Sequence, residues 1–150
     1  MIGRLDNNQI NNLLCSQSIG RLACTDGDQP YIVPITFTYD GEYIYGQTNM
    51  GKKLKIIRKN HDVCFEVDQM IDIRNWQSVV ICGQLEELKN KDAVVGREIL
   101  LDKEFSLLTT TSIHAHEHEV TTVLHDERRM KEILFRIKIK KVSGRYQNEL

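Results

Sequence analysis

The feature that most constrains this chain is a nine-residue alternation. Tyr31, Val33, Ile35, Phe37 and Tyr39 are separated by Ile32, Pro34, Thr36 and Thr38. A period of two sends successive side chains to opposite faces of a strand. Asp40-Gly41 follows, a pair that bends a chain into a hairpin, and Tyr43 to Gly46 is the returning strand. Pro34 has no backbone N–H to give to a ladder, so this strand is an edge or is bulged there. Backbone groups on such a strand are left free to meet a ligand.

The pattern recurs along the chain. Ile19 to Thr25 is short and apolar, and Asp26-Gly27-Asp28 after it is turn chemistry. Val63, Phe65 and Val67 alternate with Cys64, Glu66 and Asp68, and Ser78 to Leu88 is rich in β-branched residues. Ile133, Phe135, Ile137 and Ile139 alternate with Leu134, Arg136, Lys138 and Lys140, one face buried and one wet. Helices fall between. Asp6 with Gln9 three residues on marks a helix start, and Ile10, Leu13 and Leu14 line its apolar face. Met50, Leu54 and Ile57 mark a helix from Gly51 to Asn60. Val94, Leu101 and Phe105 mark another from Asn90 to Phe105, with Gly96 inside it, and Ser106 to Arg129 reads as polar and irregular. Six strands at hairpin spacing, not regularly interleaved with helices, exclude a doubly wound parallel sheet. The expected fold is mainly β, a small six-stranded antiparallel barrel with peripheral helices, in one domain over residues 1–150.

Charge and cysteines narrow the function classes. Lys and Arg number 20 against 21 Asp and Glu, a balance without the basic footprint of a nucleic-acid binder. The longest purely apolar run, Val79 to Cys82, is far short of the ~20 residues of a membrane span. The start at Met1 to Asn7 has no apolar signal region. Cys15, Cys24, Cys64 and Cys82 have no zinc-ligand spacing and sit beside apolar residues, which predicts buried, reduced thiols. The expectation is a cytoplasmic protein with neither nucleic acid nor membrane as partner.

The most informative local feature is Thr48-Asn49-Met50-Gly51-Lys52-Lys53. Thr48 or Asn49 suits a helix cap, which puts Lys52 and Lys53 in the first turn. Cations there are disfavoured by ~0.3–1 kcal/mol each, and a bound anion reverses that sign. Backbone N–H groups, a hydroxyl and two ammonium groups together would make a phosphate site; the alternative is two solvated lysines on an exposed turn. His114, His116 and His118 alternate, so in an extended segment they would share a face able to hold a metal or haem iron; a solvated loop is the other reading. Trp76, the sole tryptophan, precedes a strand and belongs either to the core or to an interface or ligand site. No G-x-S-x-G, G-x-G-x-x-G or Walker loop is present.

In order, Gly20 to Cys24, Pro30 to Phe37, Ile44-Tyr45, Thr48 with Gly51-Lys52-Lys53, Asn60 to Asp68, Trp76 to Gly83, Leu134 to Ile137 and Ser143-Gly144-Arg145 form a pattern. It resembles the pyridoxamine 5'-phosphate oxidase-like flavin-binding split barrels, nearest the branch that includes the nitroimidazole-resistance proteins. The resemblance runs from about Ile19 to Arg145. It implies a split β-barrel homodimer with FMN at the subunit interface. The strand Ile32, Val33, Pro34, Ile35, Thr36 would run beside the flavin ring, largely through backbone groups. Thr48, Lys52 and Lys53 would take the phosphate, and Ser78 and Trp76 would reach the flavin of the partner chain.

Two departures matter. The C-terminal Arg145 to Leu150 does not match the basic substrate-phosphate site of pyridoxamine phosphate oxidases proper, so vitamin B6 oxidation is not expected. Gln47 stands where nitroimidazole-resistance proteins commonly have a His, and Gln does not titrate. The expected function is an FMN-binding oxidoreductase that reduces a small electrophile, a nitro-aromatic being one candidate. The alternatives are a non-enzymatic flavin module, or a haem protein that uses His114, His116 or His118 on the same barrel.

Overall fold

The computed structural model describes residues 1–111 and 133–149, with side chains left out for 104–111. The elements run β1 (Ile2–Arg4), α1 (Asn7–Ser16), β2 (Ile19–Cys24), β3 (Tyr31–Tyr39) and β4 (Tyr43–Thr48). They continue with α2 (Lys52–Lys59), β5 (Asp62–Asp72), β6 (Asn75–Glu87), α3 (Asn90–Thr111) and β7 (Ile133–Gln147). The sheet order is β1-β7-β4-β3-β2-β5-β6, every pairing is antiparallel, and β6 also pairs with β7. Six strands therefore close into a barrel, and β1 is an added seventh.

The alternation does what its period requires. Leu22, Phe37, Ile44, Phe65, Val67, Val79, Ile81 and Ile137 are fully buried inside the barrel. Phe37 and Phe65 meet edge to face at 5.2 Å between ring centres. Gly20 lies beneath the Phe65 ring, where a Cβ would come within 2.4 Å of it. Helix α1 covers one end with Ile10, Leu13 and Leu14. Its start is a reciprocal capping box: the Gln9 N–H donates to Asp6 Oδ1 and the Asp6 N–H to Gln9 Oε1, both at 2.8 Å.

Several expectations are corrected. β1 is too short for a period to show, and it is held as a rung on β7 through Ile2 opposite Gln147. Helix α3 continues through Ser106 to Thr111, because no Gly or Pro after Gly96 interrupts it. It buries Leu100 and packs Ala93 and Ile99, whereas Val94 is 54% exposed. Gly96 faces this contact, since a Cβ there would lie 2.7 Å from Leu88. Met50 lies outside α2 and is exposed; the buried face is Leu54, Ile56 and Ile57. Of the four thiols only Cys24 is buried, while Cys15 and Cys64 are exposed and Cys82 is half-buried. Cys64 has apolar neighbours, yet the same period that buries Val63 and Phe65 turns it outward. Among the described residues no helix is long and apolar enough to cross a membrane.

Candidate functional site

The site grows from a divergence between β3 and β4. Tyr31 to Thr36 pair with β2, but β4 pairs only with Phe37 to Tyr39 before it runs on beside β7 to Thr48. The Phe37 N–H donates to the Ser18 carbonyl at 3.0 Å. Hydrogen-bonded pairs alternate along an antiparallel ladder. Ile35 and Val33 therefore bond to β2, whereas the backbone groups of Ile32 and Pro34 point away from it. Among the described residues no strand lies beside them there. The ring nitrogen of Pro34 thus falls on the open side, where its missing N–H breaks no ladder. The side chains of Ile32, Pro34 and Thr36 are exposed, Ile35 is in the core and Val33 packs against it. A ligand on this edge meets Ile32, Pro34 and the end of the β4 ladder at Thr36; the polar groups of Val33 and Ile35 are already spent.

Helix α2 begins next to this edge. Its cap is Gly51, in extended backbone with no side-chain hydrogen bond. Neither Thr48 nor Asn49 caps it, because Thr48 is still in β4, paired with Ile133. The Thr48 hydroxyl is buried and donates to the Asn49 carbonyl at 3.3 Å. Among the described residues the cap thus gives the first-turn N–H groups no side-chain acceptor. The Lys52 ammonium lies 5.4 Å from the centre of the Tyr31 ring, at the start of the open edge. Lys53 is half-buried beside Cys24; burial pulls the ammonium below its ordinary value and pushes the thiol up. Among the described residues, the ion pairs join other groups and none includes Lys52 or Lys53. A half-buried ammonium at an uncapped helix start attracts an anion.

Ser78 and Trp76 are not brought to this edge. From β3 the sheet runs through β2 and β5 to β6, three steps of ~4.8 Å each. The Trp76 indole N–H donates to Gln147 Oε1 at 3.1 Å, and the Ser78 hydroxyl donates to Glu66 Oε2 at 3.4 Å. Between Pro34 and Ser78 lies a cluster that the sequence reading missed. Arg21 Nη1 is 3.6 Å from Glu66 Oε1 and 3.3 Å from Asp68 Oδ1. Glu66 Oε1 is buried without a hydrogen bond. Burial first, then the Asp68 carboxyl, pushes Glu66 above the usual carboxylate range, against Arg21 and Ser78. The available signal was Glu66 and Asp68 two apart on a strand already marked by its alternation. His114, His116 and His118 lie outside the described residues, within which no group of three or more His, Cys, Asp or Glu is placed to hold a metal.

A closed six-stranded barrel that opens between two neighbouring strands, beside a cationic helix start, defines a split-barrel protein. The chain belongs to the family described as pyridoxamine 5'-phosphate oxidase, whose model matches residues 6–146. A FAD-binding protein of Mesorhizobium loti shares 29% identity, with 99% of each chain covered and a TM-score of 0.73. Two others show the fold alone. A candidate 5-nitroimidazole antibiotic resistance protein of Bacteroides thetaiotaomicron is 14% identical, with 97% of this chain and 87% of that one covered and a TM-score of 0.71. A FAD and heme binding protein of Mycobacterium smegmatis is 13% identical, with 96% and 72% covered and a TM-score of 0.71. A curated relative from Rhizobium meliloti is 37% identical over 76 residues, 51% of this chain, and the match spans 50% of that relative's length.

Proposed function

We propose that this chain binds FMN as one half of a homodimer and is a cytoplasmic oxidoreductase that reduces a small electrophile. The observation that carries the reading is the uncapped start of α2, with Lys52 and Lys53 unpaired among the described residues, against the unpaired edge of β3. The flavin named for the Mesorhizobium loti relative supports it. Two ammonium groups at one helix start match a terminal monophosphate, which concentrates two charges on one phosphorus, better than the diphosphate bridge of FAD, which spreads its two charges over two, and this favours FMN over FAD. The bound cofactor supplies hydride and single-electron chemistry.

The chain's own residues do the rest. Lys52, Lys53 and the first-turn N–H groups hold the phosphate. The Ile32 N–H and the Ile32 and Pro34 carbonyls offer one donor and two acceptors to the polar rim of the ring. Thr48 bounds the site, its proton directed to Asn49. Ser78 and Trp76, too far from their own β3 edge, serve the partner's site. Gln47 does not titrate and so delivers no proton beside Thr48.

Lys52→Ala/Lys53→Ala should weaken FMN binding at least ten-fold, ~1.4 kcal/mol, and leave riboflavin binding unchanged. Flavin fluorescence titration reads both. Equal FMN affinity in the variant would overturn the phosphate assignment. Consumption of reduced nicotinamide in the presence of an acceptor separates an enzyme from a flavin carrier.

A further inference from the structure

We propose that Cys64 and Cys82 are a redox-active dithiol that closes to an intrachain disulfide on the outer face of the β5–β6 ribbon. The two residues are register partners, and their Sγ atoms lie 3.5 Å apart. The hydrogen-bond phase of this ladder places them where closure is geometrically possible. The Leu85 N–H donates to the His61 carbonyl at 2.9 Å, so the hydrogen-bonded pairs continue at Val63–Gly83 and Phe65–Ile81. Cys64–Cys82 is then a non-hydrogen-bonded pair, with Cα atoms ~4.5 Å apart. That separation falls within the range of ~4.4–6.8 Å that a disulfide spans. Side-chain rotation alone brings the sulfurs together.

In the single chain the pair is also reachable. Cys64 is exposed and Cys82 half-buried, and both line a cleft of about 360 Å³ with Ala23, Pro30 and Lys140. Neither Cys15 nor Cys24 has a thiol in contact among the described residues. Burial and the Cys82 thiol push the Cys64 thiol up, so reduced Cys64 rests protonated.

The oxidant is a low-molecular-weight disulfide. One cysteine, as thiolate, attacks a sulfur of that disulfide and releases one small thiol. The other cysteine then attacks the protein sulfur of the mixed disulfide and releases the second. Two protein thiols are oxidised, and one small disulfide is reduced to two thiols. An exposed bond across so short a span belongs to the readily reduced kind, so the step is reversible. Nothing in it draws on the flavin reading.

The test equilibrates the full chain in glutathione buffers of increasingly oxidising ratio, traps free thiols with N-ethylmaleimide under denaturing conditions, and weighs the intact protein. The expected result is two maleimides in place of four, and a Cys64–Cys82 peptide that reduced glutathione reopens. Cys64→Ser and Cys82→Ser should each stop at a mixed disulfide with one glutathione. Cys15→Ser/Cys24→Ser should keep the transition. Four maleimides at the most oxidising ratio, a bond between chains, or a lasting glutathione adduct on Cys64 or Cys82 of the unaltered chain would overturn the proposal.

Discussion

Glu66 is the residue whose ionisation the fold opposes most plainly. Its Oε1 is buried without a hydrogen bond, and both burial and Asp68 favour the protonated acid over its ordinary 4.5. Arg21 and Ser78 pull the other way and do not win. Folded Glu66 therefore holds its proton more tightly than the unfolded chain does. The stabilisation this provides is complete below 4.5 and is lost as pH rises through the raised value. Glu66→Gln cannot ionise and should escape that loss. Melting midpoints of both proteins, taken from acid to neutral pH, should show the variant gaining on the native chain as pH rises. A constant gap would mean that Glu66 titrates alike in both states. The same residues show what period-two reading can and cannot see. It puts Glu66 and Asp68 on one face, but it cannot put Arg21 opposite them, because that neighbour comes from β2 and is fixed by register.

At the scale of elements, the sharpest constraint is the seam that closes the barrel. β6 pairs with β5 on one side and β7 on the other, and the ladder to β7 shifts register between Cys82 and Gly83. A Cβ on Gly83 would lie 2.2 Å from the Lys138 carbonyl oxygen and 3.1 Å from Ile137. Lys138 is itself paired to Tyr43 of β4, so that carbonyl has little room to retreat. Gly83→Ala should cost at least ~1–3 kcal/mol. The cost should appear as a lower urea midpoint with an unchanged slope; an unmoved midpoint would show the seam to be slack. Long strands were legible because one buried face enforces a period of two. The seam, the split between β3 and β4, and β1 were not, since each depends on which strand lies alongside. The capping residue of α2 and the extent of α3 were hidden for a related reason, although the span Gly51 to Asn60 was legible. Thr48 is a good cap by type, but the chain spends it on β4, and Gly96 weakens a helix in isolation yet lets α3 pack on Leu88.

The whole molecule presents an outer face that a lone chain covers poorly. Ile19, Ile32 and Val80 are 52%, 64% and 40% exposed on the outer faces of β2, β3 and β6, flanking Arg21, Glu66 and Asp68. Ser78 and Trp76 lie on the same strand as Val80, three strands from the β3 edge of their own chain, and the edge they are proposed to serve is the partner's. A two-fold pairing through this face would cover the apolar side chains and carry β6 of each chain toward the open edge of the other. Light scattering should then give twice the 17.4 kDa of one chain. Val80→Arg, a change on the face that leaves Lys52 and Lys53 intact, should shift the protein toward monomer and weaken FMN binding with it. The coupling is the diagnostic. If the shared site is real, FMN affinity falls as dimer is lost and recovers at high protein concentration. A monomeric variant that holds FMN as tightly as the native protein would place the whole site within one chain and leave Ser78 and Trp76 without a part in it.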